Sequence, residues 1–125
     1  MSPMCCRHHY RPRTDYVRIM PNRGRFNGAA PIDMVAEGEW PEAELDGPEG
    51  VLWAAVVTQH ASRRLRDEMR RKGYTNRGLA EAAGVSDAVV RRLLAGTAFV
   101  DIVSIVRIER FMNKALLPDW RDRRP

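Results

Sequence analysis

The chain has 125 residues, enough for one domain with an extension but not for two full domains. Its formal net charge of +5 is uneven: residues 1–30 carry six Arg and one Asp, residues 31–50 seven acids and no base, and residues 51–125 fifteen bases and eight acids. A basic domain suits a polyanionic partner, because neutralising phosphates supplies much of the binding free energy. A solvated surface with a basic bias is the alternative explanation.

Residues 1–30 form a basic segment rich in Arg and Pro, and we expect mostly irregular structure there. Its strand-like run, Tyr16–Met20, would need a pairing partner. Cys5–His9 offers four metal-ligand side chains, but a structural zinc site needs spaced pairs, so these crowded residues predict no metal. Neighbouring Cys5 and Cys6 also close a disulfide poorly, which indicates a reducing compartment.

Residues 31–50 combine the seven acids with several Pro and Gly residues. This composition predicts an acidic, solvated linker that ends at the first helix. Ile32–Val35 is a candidate strand within it. Because the segment is acidic and the following domain is basic, a second interpretation is that the segment lies on a DNA-binding face and inhibits binding.

A long amphipathic helix is predicted for Val51–Lys72, with arginines over much of its outer surface. Gly73 is expected to end it, and the basic last turn suits the negative end of the helix macrodipole. Trp53 is interpreted as a core residue, with a dimer anchor as the alternative. His60 is expected to be half-buried. The predicted inward stripe consists of Leu52, Val56, Ala61, Leu65 and Met69.

The most informative stretch is NRGLAEAAGVSDAVVRRLLA at residues 76–95, which predicts two short helices, Arg77–Ala83 and Ser86–Ala95. Gly84 lies between them, where the chain must turn and a positive φ is needed. The outer face of the second helix is polar and cationic. Two short helices joined by a tight turn make a helix-turn-helix.

Capping and apolar residues support both helices. Thr75 or Asn76 can cap the first helix, and Ser86 supplies an N-cap oxygen for the second. The apolar residues recur at helical spacing, which gives each helix an inward face. These inward residues are Leu79, Ala80, Ala83, Val85, Val90, Leu93 and Leu94.

A last helix is predicted from residue 102 to about residue 113, with Asp101 as its N-cap. Its β-branched residues would also suit a strand, but the cap favours a helix. Lys114–Leu117 is expected to close the core with one more turn before Pro118 stops it. Residues 118–125 are expected to be a charged tail. The residues available to the core are Ile102, Ile105, Val106, Ile108 and Met112.

This pattern resembles the helix-turn-helix of the Cro and lambda-repressor-like (XRE-like) family of bacterial and phage regulators. The family has Ala four residues before the turn glycine and aliphatic residues one and six positions after it; the matching residues are Ala80, Gly84, Val85 and Val90. Over residues 51–117 the resemblance implies an all-α, lambda-repressor-like bundle of four to five helices containing a helix-turn-helix, preceded by a mostly irregular N-terminal extension.

The resemblance implies sequence-specific binding of double-stranded DNA, with a recognition helix at about residues 86–95 in the major groove. Arg can bridge guanine, Asp can accept from cytosine, and Ala can contact a thymine methyl group. By the same resemblance, Asn76, Arg77 and Thr97 would contact phosphates, although the family commonly has Gln in place of Asn76. The expected base contacts are Ser86, Asp87, Ala88, Arg91 and Arg92.

Each of these outward residues has a plainer interpretation. Arg91 and Arg92 would also serve as ordinary solvated charges. Asp87 would also serve to complement the positive N-terminal end of its helix. On the DNA-binding interpretation, the chain is a bacterial or phage transcriptional regulator in the cytoplasm, with repression favoured over activation.

The competing prediction is a protein-interaction module or an antitoxin that uses the same fold to bind a partner protein. A homodimer fits DNA binding, because one small domain reads only a half-site, although no dedicated dimer segment is evident. No enzyme is expected. There is no P-loop, GxGxxG or HExxH motif, and no Ser or Cys lies at a spacing from His60 that indicates a catalytic pair.

No cofactor, small-molecule substrate or membrane partner is expected either. No apolar run approaches the roughly 18 residues of a membrane span. The N-terminus has no hydrophobic stretch that resembles a signal peptide. A soluble protein is therefore the expectation.

Overall fold

A computed structural model of the chain describes residues 29–119, and this part is mostly helical. Its α-helices are α1 (Glu49–Lys72), α2 (Asn76–Ala83), α3 (Asp87–Ala95) and α4 (Ile102–Met112). Before them come a short 3-10 helix (Pro31–Met34) and the two strands β1 (Val35–Glu37) and β2 (Glu44–Leu45). The strands pair antiparallel, with Val35 opposite Leu45.

Several sequence predictions lie outside the described residues: the irregular structure of residues 1–28, the run Tyr16–Met20, the crowded ligands of Cys5–His9, and the tail beyond Asp119. Within residues 29–119, no helix combines the length and the apolar character needed to cross a membrane.

The main hydrophobic core lies between the four helices. Every helix contributes a side chain with no exposed surface, and the chain beyond α4 contributes another: Leu65, Leu79, Leu93, Ile108 and Leu116. Burial of such side chains is the main favourable term in folding a domain of this size. The helices are therefore held by one shared core, and α2 and α3 are presented on it as a pair.

Sequence signals for the helix ends are confirmed. Ser86 and Asp101 each accept a hydrogen bond from the backbone N–H three residues later, at 3.1 and 2.6 Å. Thr75, rather than Asn76, caps α2, again from the N–H three residues later, at 2.9 Å. Gly84 follows α2 with a φ of 78°. These features depend on neighbours within four residues, which explains why the sequence predicts them.

Residues 31–48 are not a solvated linker, so that prediction is corrected. Met34 has no exposed surface, and Gln59 Nε2 of α1 donates to the carbonyl of Ala43 at 2.7 Å. Trp40 is half-buried. The prediction rested on the acids, prolines and glycines of the segment. It did not take account of apolar side chains such as Met34, which pack on α1. Residues 31–48 are called the acidic segment below.

The N-terminal half of α1 buries a different face from the predicted one. Leu52 and Val56 are only half-buried, whereas Ala55, Gln59 and Ser62 are buried. The reason is that the acidic segment packs along this side of α1, which gives the helix a second neighbour. Towards its C-terminus α1 follows the predicted stripe into the main core.

The predicted inward face of α4 is partly wrong. Ile105, Ile108 and Met112 are buried as expected, but Ile102 and Val106 remain 63% and 42% exposed. A helix that packs on one side of a bundle buries only one stripe, and α4 carries β-branched residues outside that stripe as well.

Residues 114–117 close the core, but not as the predicted extra helical turn. α4 ends at Met112, and Asn113 follows it in the left-handed region with a φ of 54°. The carboxylate of Glu109 then accepts hydrogen bonds from the backbone N–H groups of Leu116 and Leu117, at 2.7 and 3.1 Å. These two bonds turn the chain so that the Leu116 side chain enters the core.

Candidate nucleic-acid interface

The α2–α3 pair is joined by a turn of three residues, 84–86. The N–H groups of Gly84 and Val85 both donate to the carbonyl of Ala80, at 2.9 and 3.0 Å, and these bonds hold the turn against the last turn of α2. The Ala80 side chain is only 3% exposed. A small residue at this position allows the two helices to approach closely.

The outer face of α3 carries the residues that the sequence predicts for base contacts. Arg91 and Arg92 are exposed, and Asp87 and Ala88 are half-buried near the start of the helix. Ser86 is exposed as the N-cap. The opposite face of α3 is buried through Val90 and Leu93 and others. The five predicted residues therefore lie along one short helix with its apolar side in the core.

The two arginines of α3 differ in their partners. Arg91 forms an ion pair with Asp87 across one helical turn. Within residues 29–119 no ion pair engages Arg92. An exposed i, i+4 pair contributes only about 0.3–0.5 kcal/mol, so Arg91 can leave Asp87 for a better acceptor at little cost. The guanidinium of Arg92 can therefore form a bidentate hydrogen bond to an acceptor without first breaking an ion pair.

The predicted phosphate contacts fall at two separate places. Asn76 and Arg77 are the first two residues of α2, where N–H groups and the positive end of the helix dipole favour an anion. Thr97 lies beyond the other end of α3, and its N–H donates to the carbonyl of Arg92 at 3.1 Å. Because α3 has nine residues and rises about 1.5 Å per residue, about 13 Å of helix lies between the start of α3 and the residues that precede Thr97.

Arg107 supports the turn, a role that sequence reasoning missed. It lies on α4, and its Nη1 donates to the carbonyl of Gly84 at 3.0 Å. This contact ties the α2–α3 turn to the last helix. No local pattern predicts it, because the two residues are separated by 23 positions and meet only in the folded chain.

The acidic segment holds the other end of α3. The N–H of Ile32 donates to the carbonyl of Gly96 at 2.8 Å. Trp40 Nε1 donates to Ser62 Oγ, which in turn donates to the carbonyl of Leu94, both at 3.1 Å. A large aromatic residue inside an acidic stretch was the sequence signal that could have revealed this contact.

The acidic segment also engages arginines of α1. Glu42 lies 2.7 Å from a nitrogen of Arg66, and Arg63 donates to the carbonyl of Pro41 at 3.1 Å. Its contacts with α3 are at the C-terminal end of that helix, beside Leu94 and Ala95. This placement gives no support to the interpretation that the segment covers the outer face of α3.

Two further titratable groups, those of His60 and Glu68, have contacts that support the fold. His60 is half-buried, and its Nδ1 lies 3.1 Å from the carbonyl of Leu116, to which it can donate. Glu68 is 4% exposed and pairs with Arg71 at 2.7 Å, which holds the pKa of this carboxyl below its ordinary value. In the described part of the chain, no three His, Cys, Asp or Glu residues are grouped as metal ligands.

Comparison with known proteins gives no further guide. No protein-family model, curated protein sequence or solved structure matches the chain.

Proposed function

We propose that the chain binds double-stranded DNA in a sequence-specific manner, through a lambda-repressor-like helix-turn-helix formed by α2 and α3. It acts as a bacterial or phage transcriptional regulator, with repression favoured over activation. The observation that carries the proposal is the exposed cationic face of α3, whose apolar side is anchored in the core.

The dimensions of α3 fit this role. The major groove is about 12 Å wide and admits one α-helix. With nine residues, α3 is about 13 Å long, close to the rise of four base pairs. Its two ends are held by the turn contact from Arg107 and by the acidic segment. A helix fixed at both ends does not need to order its backbone on binding, so this part of the entropic cost of association is avoided.

Within that groove the outer residues of α3 divide the recognition. Arg92 is free to bridge guanine O6 and N7, and Arg91 can do the same after leaving Asp87. Asp87 then accepts from a cytosine amino group instead of remaining beside phosphates without a donor. At the start of α2, Asn76 and Arg77 contact the phosphate backbone and set the position of α3.

Arg92→Ala should weaken binding to the preferred site by about 1–3 kcal/mol and relax the preference at one base pair, because it removes a two-bond contact to a base. The preferred site is found by selecting bound duplexes from a random pool, and affinity is then measured by fluorescence anisotropy. Arg110→Ala, which removes an exposed arginine from α4, is the matched control. If the protein does not bind random duplex even at low salt, DNA binding is excluded and a protein-interaction module is favoured.

Arg77→Ala should weaken binding to all sequences by a similar factor and flatten the dependence of log affinity on log salt by about one unit, since it removes one phosphate contact. Titrations of one duplex at several salt concentrations measure this slope. Arg70→Ala, an exposed arginine of α1, should leave the slope unchanged. An Arg77 variant that changes base preference instead would contradict a phosphate-contacting role.

A further inference from the structure

A buried hydroxyl group of α1 joins the acidic segment to the last turn of α3. The side chain of Ser62 has no exposed surface. Its Oγ accepts a hydrogen bond from Trp40 Nε1 and donates one to the carbonyl of Leu94, both at 3.1 Å. These two hydrogen bonds in series, which connect three separate elements of the fold, are called the Ser62 relay below.

The direction of the Ser62 hydroxyl is set by its distant partners and not by its own helix. A Ser or Thr inside a helix can donate to the carbonyl four residues earlier, and Thr58, one turn before Ser62, does so: its Oγ1 donates to the carbonyl of Ala54 at 2.8 Å. A hydroxyl group has one proton to donate. The bond to Leu94 commits the proton of Ser62 to α3, while the indole N–H of Trp40 donates to the oxygen.

The carbonyl that receives this proton belongs to an end of α3 that cannot complete its own hydrogen bonds. Leu94 lies in the last turn of the helix, where backbone carbonyls have no N–H partner within the helix. A second bond at the same end runs from the N–H of Ile32 to the carbonyl of Gly96, at 2.8 Å. The C-terminal end of α3 is therefore held by α1 and the acidic segment.

This end of α3 lies close to the arginines that are proposed to contact bases. Arg91 and Arg92 precede Leu94 by three and two positions, whereas Asn76 and Arg77 lie on α2. A shift of the C-terminal end of α3 would displace the two guanidinium groups and leave the proposed phosphate contacts of α2 in place.

We propose that Ser62, held by Trp40, is a positioning residue for DNA recognition. It fixes the tilt of α3 in the major groove, and thereby determines how strongly the chain distinguishes its preferred site from other DNA. This role rests on the DNA binding proposed above. Ser62 contacts no DNA itself, because it has no exposed surface, and it adds nothing to the affinity for random sequence, which comes from phosphate contacts.

The test is the ratio of two affinities, for the preferred duplex and for a random duplex of the same length, measured on one preparation by fluorescence anisotropy. A smaller folded fraction lowers both apparent affinities by the same factor, so the ratio does not respond to stability alone. Ser62→Ala should lower the ratio roughly three- to tenfold, because the end of α3 must then be ordered on binding. Thr58→Val, which removes a hydroxyl whose bond stays within α1, should leave the ratio unchanged.

Trp40→Phe tests whether the two hydrogen bonds act as a unit. This change removes the indole N–H and keeps an aromatic ring beside Gly96. The affinity ratio should fall, and the double variant Trp40→Phe, Ser62→Ala should lose no more than Ser62→Ala alone, since coupled residues do not have additive effects. Additive losses would show that the two side chains act separately, and would overturn the relay.

Amide hydrogen exchange reports on the same end of α3 without DNA. The N–H groups of Gly96 and Thr97 both donate to the carbonyl of Arg92. In Ser62→Ala they should exchange roughly two- to tenfold faster relative to the N–H of Leu79 in α2, which is the change expected for the loss of one hydrogen bond. Unchanged relative rates at Gly96 and Thr97 would overturn the proposal that Ser62 holds this end of the helix.

Two outcomes separate the role of Ser62 from the proposed DNA binding. A wild-type chain that binds neither duplex at low salt overturns both. A wild-type chain that binds DNA, together with an unchanged affinity ratio for Ser62→Ala, overturns the positioning role alone and leaves the helix-turn-helix proposal standing.

Discussion

Gly96→Ala should lower the free energy of unfolding by about 2–5 kcal/mol, measured by urea denaturation followed by far-UV circular dichroism. Two effects add. Gly96 has a φ of 72°, and a side chain in this region costs about 1–2 kcal/mol. A Cβ at this position would also lie 2.5 Å from the indole ring of Trp40, and such overpacking costs about 1–3 kcal/mol.

Two other glycines separate these effects. Gly84 and Gly73 also have positive φ, at 78° and 75°, but a Cβ at either would meet nothing within 4 Å. Gly84→Ala and Gly73→Ala should therefore cost only the backbone term of about 1–2 kcal/mol. In a Trp40→Ala background, the cost of Gly96→Ala should fall towards that value. Equal losses for Gly96→Ala and Gly84→Ala in the wild-type background would show that Trp40 does not pack there.

Met34→Ala should lower the free energy of unfolding by about 2–4 kcal/mol. Met34 has no exposed surface and packs with Ala55, Leu45 and Leu52 between the acidic segment and α1. Truncation of a buried Met to Ala typically costs about 2–5 kcal/mol, because the cavity closes only partly. Urea denaturation should show one transition, shifted to lower denaturant, since the segment and the helices unfold together.

Ile32→Ala is the matched control, because Ile32 lies two residues away and is 39% exposed. It should cost less than about 1 kcal/mol. A solvated linker would make both variants neutral, so an unchanged midpoint for Met34→Ala would restore the linker interpretation.

The packing of the acidic segment also affects deletion experiments, because removing residues 1–47 would strip a packed layer from α1 and α3. Charge substitutions such as Glu42→Gln are the better probe of how the acidic residues affect the proposed DNA binding.

The sequence by itself determined the local features of this protein. The turn at Gly84 and the caps at Thr75, Ser86 and Asp101 depend on backbone and side-chain groups within about four residues of each other. The inward stripe of α2 and α3 follows from helical periodicity in the same way. The cationic outer face of α3 is the complement of that stripe, which is why the candidate DNA-binding residues could be named before the fold was known.

Only the tertiary structure decided which apolar side chains are covered and what holds α3 in place. Periodicity shows that α4 has apolar residues on two sides, but not that the bundle covers Ile105 and leaves Ile102 exposed. Composition predicts a solvated linker for residues 31–50, but in the structure Trp40 of this stretch packs beside Gly96. Arg107 reaches the α2–α3 turn from another helix. The contacts of Trp40 and Arg107 join residues that are far apart in the chain. Burial of an apolar side chain likewise depends on which distant element packs against it. A local sequence pattern contains no information about that element.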